Sequence, residues 1–316
     1  MFHDATLNGD SDFRETSFTK KTSFRGATFG GNVDFQEATL ENVDFQGATV
    51  KGNAIFHRAV FRGTVMFQKA TFQGNADFQA YGQSVTVQEA RANLFFDVFF
   101  TNAFFGGEVS FENRQFCKCA SFKGCTFAKA PVFHGCRLHQ GTTFPPRENF
   151  HDVTSDHAAQ AYRTLKLATG QFGARHEEAR FYALEQESLR ALPATPRSQK
   201  LMSWMYKWTA DYGENFLKPF VWLTVTTAVF WLLYVTLLYF STDAVSHPME
   251  CLQFTIEQLV RPFSVWVPNG GMTLKIPFEA NFQLILILQI AATFQSIASL
   301  SFITLAILAI RRRFKL

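Results

Sequence analysis

The sequence has little that would support catalysis. It contains no glycine-rich phosphate-binding loop and no nucleophile within a local activation motif. None of its eight histidines forms a pair at the sequence spacing typical of metal ligands. The five cysteines are an odd number, and the first twelve residues lack a basic patch followed by an apolar run, so neither a disulfide framework nor a secretory signal is predicted. We therefore expect no enzyme activity and no cofactor.

The first half of the chain also lacks an excess of either positive or negative charge. Residues 1–146 contain 13 acidic and 14 basic side chains, and the two signs alternate along the chain. A surface that binds nucleic acid needs a block of basic residues, which this pattern does not supply. We expect no nucleic-acid partner.

What the sequence does have is a regular series of phenylalanines. Between Phe2 and Phe144 an apolar residue recurs at steps of five and six, with one interruption at residues 79–93. A small residue stands two positions before most of these apolar residues, as at Ala27, Ala48 and Val65. Neither a helix nor a two-residue strand repeat produces this spacing, whereas a solenoid with a corner every five residues does.

Four triplets carry a resemblance to a known family: Ala27–Phe29, Ala38–Leu40, Ala48–Val50 and Ala70–Phe72. Each is Ala-Thr followed by an apolar residue, which resembles the pentapeptide-repeat family. The resemblance implies a right-handed quadrilateral β-helix over residues 1–146, with the apolar residue and the small residue pointing inward. Some soluble members imitate DNA and bind topoisomerases through a strongly acidic cylinder, and the balanced charge of this segment removes the electrostatic basis for that use.

Two cysteines fall in the inward position that Ala usually occupies. Cys125 and Cys136 stand there eleven residues apart, and we expect a structural role for both. The alternative is a metal site completed by Cys117, Cys119 or His134. A Cys-x-Cys pair alone is a weak signal for zinc, so no metal site is predicted.

A linker follows the solenoid. We predict a helical hairpin within residues 147–196, with one helix from about Asp156 to Ala168 and another from about Arg175 to Leu192. The hairpin either covers the open end of the solenoid or pairs with another subunit. In residues 197–218, four aromatic residues are mixed with lysines, which predicts an interfacial helix in contact with membrane lipids. The aromatic residues are Trp204, Tyr206, Trp208 and Tyr212, and the lysines are Lys200 and Lys207.

Residues 219–316 form the last predicted domain, a membrane module. It contains 24 uncharged residues between Lys218 and Asp243 and 31 from Ala280 to Ile310, and each run exceeds the ~20 residues that cross a bilayer. We predict spans at about 219–241 and 281–310. Basic residues concentrate before the first span and after the second, so the positive-inside rule predicts that both termini are cytoplasmic.

The connection between the spans resembles a pore loop. A helix-length segment and a short turn, residues 249–266, stand between the two spans, in the order of the two-transmembrane, potassium-channel-like module that some bacterial pentapeptide-repeat membrane proteins carry. The resemblance implies a re-entrant loop, a tetramer and a bacterial inner-membrane location. No Thr-Val-Gly-Tyr-Gly run is present, so potassium selectivity is not predicted. The expected vestibule or selectivity residues are Glu257, Arg261, Pro262, Phe263 and Ser264. For Glu257 and Arg261 the alternative is a salt-bridged anchor.

One face of the second span is partly polar. At 100° per residue, Gln289, Thr293, Ser296 and Thr304 share an arc of about 80°. Leu300, Ile303 and Ile307 continue this face toward the cytoplasmic end as a possible hydrophobic constriction. Such a face either packs against other helices or lines a pore.

These patterns predict a homo-oligomeric, ion-channel-like membrane protein. The second span lines a pore for ions, and the cytosolic β-helix acts as a sensor or docks a protein partner. The alternative is a non-conducting, membrane-anchored scaffold that presents the solenoid, in a stress or phage-defence response.

Overall fold

The computed structural model describes residues 2–82, 90–91, 93–118, 120–241, 248–266 and 282–314. The chain divides into two compact units, Met1–Ser203 and Trp204–Leu316. In the part of the chain just given, all the strands lie in the first unit and the two longest helices lie in the second.

Short strands build most of the first unit. Those in the described residues are β1 (Thr6–Leu7), β2 (Ser11–Asp12), β3 (Ser17–Phe18), β4 (Thr22–Ser23), β5 (Thr28–Phe29), β6 (Val33–Asp34), β7 (Thr39–Asp44), β8 (Thr49–Val50), β9 (Ala54–Ile55), β10 (Val60–Met66), β11 (Thr71–Phe72), β12 (Ala76–Asp77), β13 (Leu94–Phe95), β14 (Asp97–Phe99), β15 (Phe104–Phe105), β16 (Val109–Ser110), β17 (Gln115–Phe116) and β18 (Thr126–Phe127).

The strands stack in parallel, each on the equivalent strand of the next coil. The longest sheet has six strands in the order β1-β5-β8-β11-β15-β18, which gives about five turns. In this sheet Phe29 pairs with Val50, and Val50 pairs with Phe72. The other faces are the sheets β2-β6-β9-β12-β16, β3-β7-β10-β14 with β4 also on β7, and β13-β17. The predicted β-solenoid is confirmed.

Stacked aromatic rings fill the interior of the solenoid. The ring of Phe56 lies 5.0 Å from that of Phe35 and 4.9 Å from that of Phe78, with the planes nearly parallel. The small residues two places before the rings, such as Ala27 and Val65, are fully buried. Burial of each phenylalanine contributes about 1.5–3 kcal/mol, so the column of rings can stabilise coils whose strands have only two residues.

The interruption of the phenylalanine series is a longer coil. Phe72 pairs with Phe105 and Ala76 pairs with Val109, a separation of 33 residues, whereas Val50 and Phe72 are 22 apart. The eleven additional residues fall between Phe78 and Leu94, and most of them lie outside the described residues. Stacking resumes beyond them, because the rings of Phe78 and Phe111 are 5.1 Å apart.

Two helices follow the last coil and belong to the same hydrophobic core. They are α1 (Ala158–Gln171) and α2 (Arg175–Ala191), after a 3₁₀ turn at Arg147–Asn149. The ring of Phe181 packs edge-on against Phe144 at 5.1 Å and Phe150 at 5.7 Å. These contacts match the first alternative for the hairpin, a cap on the solenoid. Phe150 also stacks on Phe127 at 5.2 Å, so the aromatic core extends four residues past the predicted boundary at 146.

The remaining helices are α3 (Arg197–Ala210), α4 (Lys218–Ser241), α5 (Pro248–Val260) and α6 (Phe282–Phe314), with 3₁₀ turns at Asp211–Gly213 and Ser264–Trp266. Asn215 caps α4, because its Oδ1 accepts hydrogen bonds from the amides of Leu217 and Lys218. Within α4 and α6, the stretches Lys218–Tyr239 and Gln283–Arg311 are long and apolar enough to cross a membrane. Residues 267–281, the rest of the connection to α6, lie outside the described residues.

Candidate functional site

Helix α5 packs against both long helices of the second unit. Its buried residues, Cys251, Phe254, Thr255 and Gln258, recur at helical spacing and so form one face. The ring of Phe254 packs edge-on against Tyr234 of α4 at 5.1 Å. On α6, Leu284, Leu288 and Ala292 belong to the same apolar cluster.

A buried glutamine joins all three helices. Gln295 of α6 is fully buried, and its Oε1 accepts a 2.9 Å hydrogen bond from the hydroxyl of Tyr234. Its Nε2 donates a 2.8 Å bond to the main-chain carbonyl of Thr255 in α5. Burial of an amide is costly unless both ends are bonded, so this arrangement fixes the relative position of α4, α5 and α6.

A second polar group holds the turn after α5 against α6. Gln258 donates from Nε2 to the hydroxyl of Ser264 at 2.9 Å, and the amide of Phe263 donates to the hydroxyl of Ser296 at 3.2 Å. Phe263 has a φ of 65°, a left-handed conformation that a side chain rarely adopts without compensating contacts. The indole of Trp266 adds a 2.8 Å bond to Thr293 Oγ1.

The connecting segment reaches well inside the length of both long helices. The indole of Trp231 donates a 3.0 Å bond to the carbonyl of Pro248, and Trp231 stands ten residues before the end of α4 at Ser241, about 15 Å along the axis. Ser296, which binds the turn, stands 14 residues after the start of α6 at Phe282, about 21 Å along it. Residues 248–266 therefore fold back beside the middle parts of α4 and α6.

The residues of the predicted pore face differ in burial. Ser296 is fully buried, and its hydroxyl accepts a hydrogen bond from the turn after α5; its place in a pore face stays a prediction. Gln289, Thr293 and Ile303 are half-buried. Toward the C-terminal end the face is open: Leu300 is 47% exposed, Ile307 is 60% exposed, and Thr304 is also exposed.

The predicted vestibule residues are likewise divided. Ser264 is buried and accepts a hydrogen bond from Gln258, and its part in an entrance stays a prediction. Arg261 and Phe263 are exposed, and Glu257 and Pro262 are half-buried. The amide of Arg261 donates to the carbonyl of Glu257 at 2.7 Å, which closes the last turn of α5. The salt bridge between their side chains stays a prediction.

Sequence reasoning missed one residue of the solenoid, Arg114. It is fully buried, and its guanidinium donates to the main-chain carbonyls of Phe56, Ala59, Phe78 and Gln79. It also lies over the rings of Phe61 and Phe95, at 5.1 and 4.8 Å from their centroids. Burial lowers the pKa of Arg114 to about 9. The available signal was its position two residues before Phe116, where the repeat otherwise places a small side chain.

Cys125 and Cys136 serve the core of the solenoid. Their thiols donate to the carbonyls of Phe100 at 2.9 Å and Phe111 at 2.8 Å. Burial raises the pKa of each thiol to about 12, so both stay protonated and unreactive at neutral pH. Within the described ranges no group of three His, Cys, Asp or Glu side chains is arranged for a metal ion, and Cys119 lies outside those ranges.

Comparison with known proteins assigns the first part of the chain. A family model described as pentapeptide repeats, in nine copies, matches residues 2–49 and 35–80. No curated protein and no solved structure gives a significant match to the chain. The match coincides with coils whose stacked strands and inward rings have just been described. The coils within residues 2–80 are therefore pentapeptide repeats.

Proposed function

We propose that this chain is the subunit of a homo-oligomeric, ion-channel-like membrane protein whose pentapeptide-repeat solenoid serves as a cytosolic sensor or docking domain. Helices α4 and α6 cross the membrane, and α6 lines the path for ions. Residues 257, 261, 262 and 263 form the outer entrance.

One observation carries the proposal: residues 248–266 fold back beside the middle of the two long helices. With α4 and α6 across a hydrocarbon core of about 30 Å, contacts some 15–21 Å along them lie near its middle. Non-helical backbone at that depth is tolerated where it is buried in protein or lines an aqueous cavity. The polar contacts from Gln258 and Ser296 hold this backbone in place.

The proposed wall is the exposed part of the predicted face, Leu300, Thr304 and Ile307. Two helices cannot enclose a path, so several copies of the chain are required, and the resemblance to potassium-channel-like modules suggests four. Apolar side chains at this level would form a hydrophobic constriction that opens by wetting. The ion is left open, because the potassium-selective motif is lacking.

The proposed location is a bacterial inner membrane with both termini in the cytoplasm. Four basic residues lie from the first residue of α3 to the first residue of α4, namely Arg197, Lys200, Lys207 and Lys218. Four more lie at the C-terminal end of α6 and just after it, namely Arg311, Arg312, Arg313 and Lys315. The segment between α4 and α6 contains two residues of the Arg or Lys type, Arg261 and Lys275. The positive-inside rule then puts the solenoid on the cytosolic side.

Planar-bilayer recording of the purified full chain tests the proposal. A serine at position 300 or 307 should ease wetting of the constriction, so Leu300→Ser and Ile307→Ser should raise the open probability. Leu308→Ser is the matched control, since Leu308 is 48% exposed but lies about 100° around the helix from Ile307. Absence of ionic current in the wild type and in both serine variants would refute the proposal of a pore.

A non-conducting scaffold is the second candidate, and one observation favours it. Ser296 and Gln295 are bonded within a single chain, so these polar groups on α6 need no water-filled path. On this proposal the membrane module only anchors the solenoid. Cysteines introduced at Gln289 and Thr293 would then crosslink between copies or remain unlabelled by water-soluble thiol reagents. Labelling of both positions from water would favour the channel.

A further inference from the structure

Helix α3 exposes a large apolar face next to the start of α4. Trp204, Met205 and Trp208 are 49%, 52% and 55% exposed, and at 100° per residue they share an arc of about 100°. The same helix carries Leu201 and Met202, which are also exposed. Ala210, on the opposite side, is buried. An apolar face of this size on a short helix marks an interaction surface.

This face is fixed to the first turns of α4. The indole of Trp222 donates a 3.1 Å hydrogen bond to the carbonyl of Trp208, and their rings lie 4.6 Å apart. Trp204 stacks on Trp208 at 5.8 Å. Trp222 stands four residues after the start of α4 at Lys218, about 6 Å along its axis. The three indoles therefore form one cluster at the end of an apolar helix.

The charge of α3 has one sign. The helix contains Arg197, Lys200 and Lys207 and no acidic residue. At 100° per residue the two lysines lie within 60° of Trp204, along one border of the apolar face. Basic residues that border an apolar, tryptophan-rich face match the chemistry of an anionic lipid surface, where the rings enter the headgroup region and the charges attract phosphate.

We propose that the tryptophan cluster, Trp204, Trp208 and Trp222, together with Lys200 and Lys207, binds the anionic surface of a membrane leaflet and holds α3 in its plane. The occupant is lipid because the cluster is continuous with α4, which the proposed function takes across the bilayer. The inference rests on that crossing and not on conduction. Its consequence is that the solenoid is joined to the membrane through a lipid-bound helix, whose position responds to the content of anionic lipid.

Tryptophan quenching in vesicles tests the proposal with the full chain. In a Trp231→Phe/Trp266→Phe variant the three tryptophans of the cluster are the only ones left. The variant is reconstituted into phosphatidylcholine vesicles with and without phosphatidylglycerol, containing lipids brominated near the headgroup or near the chain end. Shallow bromine should quench about twofold more than deep bromine, as expected for indoles at the interface, and phosphatidylglycerol should shift the emission to the blue.

Charge-removing variants identify the electrostatic part. Lys200→Gln/Lys207→Gln should abolish the effect of phosphatidylglycerol, while the matched control Lys123→Gln/Lys129→Gln, at exposed solenoid positions, should keep it. Quenching by aqueous iodide and not by brominated lipid would overturn the proposal in favour of a solvated face. Absence of quenching by either would overturn it in favour of a protein partner. Extraction at alkaline pH separates the two proposals: a chain that stays in the membrane but shows no lipid quenching refutes only this inference, whereas a released chain refutes the crossing.

Discussion

The guanidinium of Arg114 donates a 2.9 Å hydrogen bond to the main-chain carbonyl of Ala59, 55 residues earlier in the chain. In the coil before, the equivalent carbonyl, that of Ala38, accepts the amide of Val60 at 2.8 Å. The coil after Ala59 is the long one, with 33 residues between paired positions. The guanidinium of Arg114 therefore supplies the hydrogen-bond donor that a backbone amide of the next coil supplies in the preceding coil. The interruption of the phenylalanine series and the arginine in a small-residue position are thus parts of one feature.

Arg114→Met should destabilise the solenoid by about 3 kcal/mol or more, because charge-assisted hydrogen bonds are lost and buried carbonyls are left without donors. Arg62→Met, at an exposed position of β10, is the matched control and should stay within about 0.5 kcal/mol. Thermal unfolding of the full chain in detergent, followed by circular dichroism, measures both. Equal melting temperatures for the two variants would show that the arginine does not hold the long coil.

Gly52→Ala should destabilise the solenoid by about 1–3 kcal/mol through overpacking. A Cβ at Gly52 would lie 2.6 Å from the backbone of Gly31 and from the amide of Asn32, in the preceding coil. It would also strain the bond in which the amide of Asn53 donates to Asn32 Oδ1 at 2.8 Å.

The control for this substitution is Gly9→Ala, since a Cβ there meets nothing within 4 Å. We expect it to leave the melting temperature unchanged. Hydrogen exchange resolves the difference by position: amides of β8 and β9 should exchange faster in Gly52→Ala only. Unchanged exchange in that variant would mean that the coils separate at little cost.

The junction between the solenoid and its cap should weaken in acid. Burial raises the pKa of Asp152, but amide donors from Ser155, Thr154 and Ala130 outweigh it and hold the pKa below the ordinary value of 3.8. A carboxyl whose pKa is lower in the folded state contributes stability above 3.8 and loses it as pH falls through the lowered value. Asp152→Asn should therefore cost about 1 kcal/mol at pH 7, and its difference from wild type should shrink below pH 3.8.

Melting temperatures of both proteins from pH 7 to pH 2 measure this effect. Asp156→Asn, at an exposed position four residues on, serves as the control and should follow wild type throughout. A constant gap between Asp152→Asn and wild type across the whole range would contradict a role for the charge.

Ser296→Val should loosen the turn after α5 from α6. The amide of Phe263 would lose its acceptor in a partly buried site, a cost of about 1 kcal/mol. Ser301→Val is matched in chemistry, but Ser301 is exposed and bonds only to its own helix, at the carbonyl of Ile297. Faster proteolysis or hydrogen exchange of residues 261–266 in the first variant alone would support the contact, and equal protection in both would refute it.

Several elements were predictable because their signals are local in the sequence. Steps of five and six residues between apolar positions determine the solenoid, since each ring must stack on its equivalent in the next coil. Uncharged runs of 24 and 31 residues determine two long apolar helices. Gly173 separates the two helices of the hairpin, and Pro193 and Pro196 follow the second helix. These features depend on the chemistry of neighbouring residues and need no knowledge of what packs against them.

The candidate site was predicted less well, because a helical wheel ranks residues by angle without knowing the partner of each face. Ser296 and Thr293 shared an arc with Leu300 and Ile307, yet the first pair binds the turn after α5 while the second pair is exposed. Gln295 lies outside that arc, yet it joins the three helices through its bonds to Tyr234, 61 residues earlier, and Thr255, 40 residues earlier.

By itself, the sequence determined the repeat, the inward-pointing residues, the order of the domains and the two apolar helices, because periodicity and hydrophobicity act over a few residues at a time. Only the tertiary structure decided that Arg114 fills the long coil, that Phe181 closes the solenoid, and which side chains hold residues 248–266 beside α4 and α6. Each of these features depends on a contact between a buried polar or aromatic group and a residue tens of positions away in the sequence. A polar group buried without such a partner would cost free energy, so these contacts are needed for the fold.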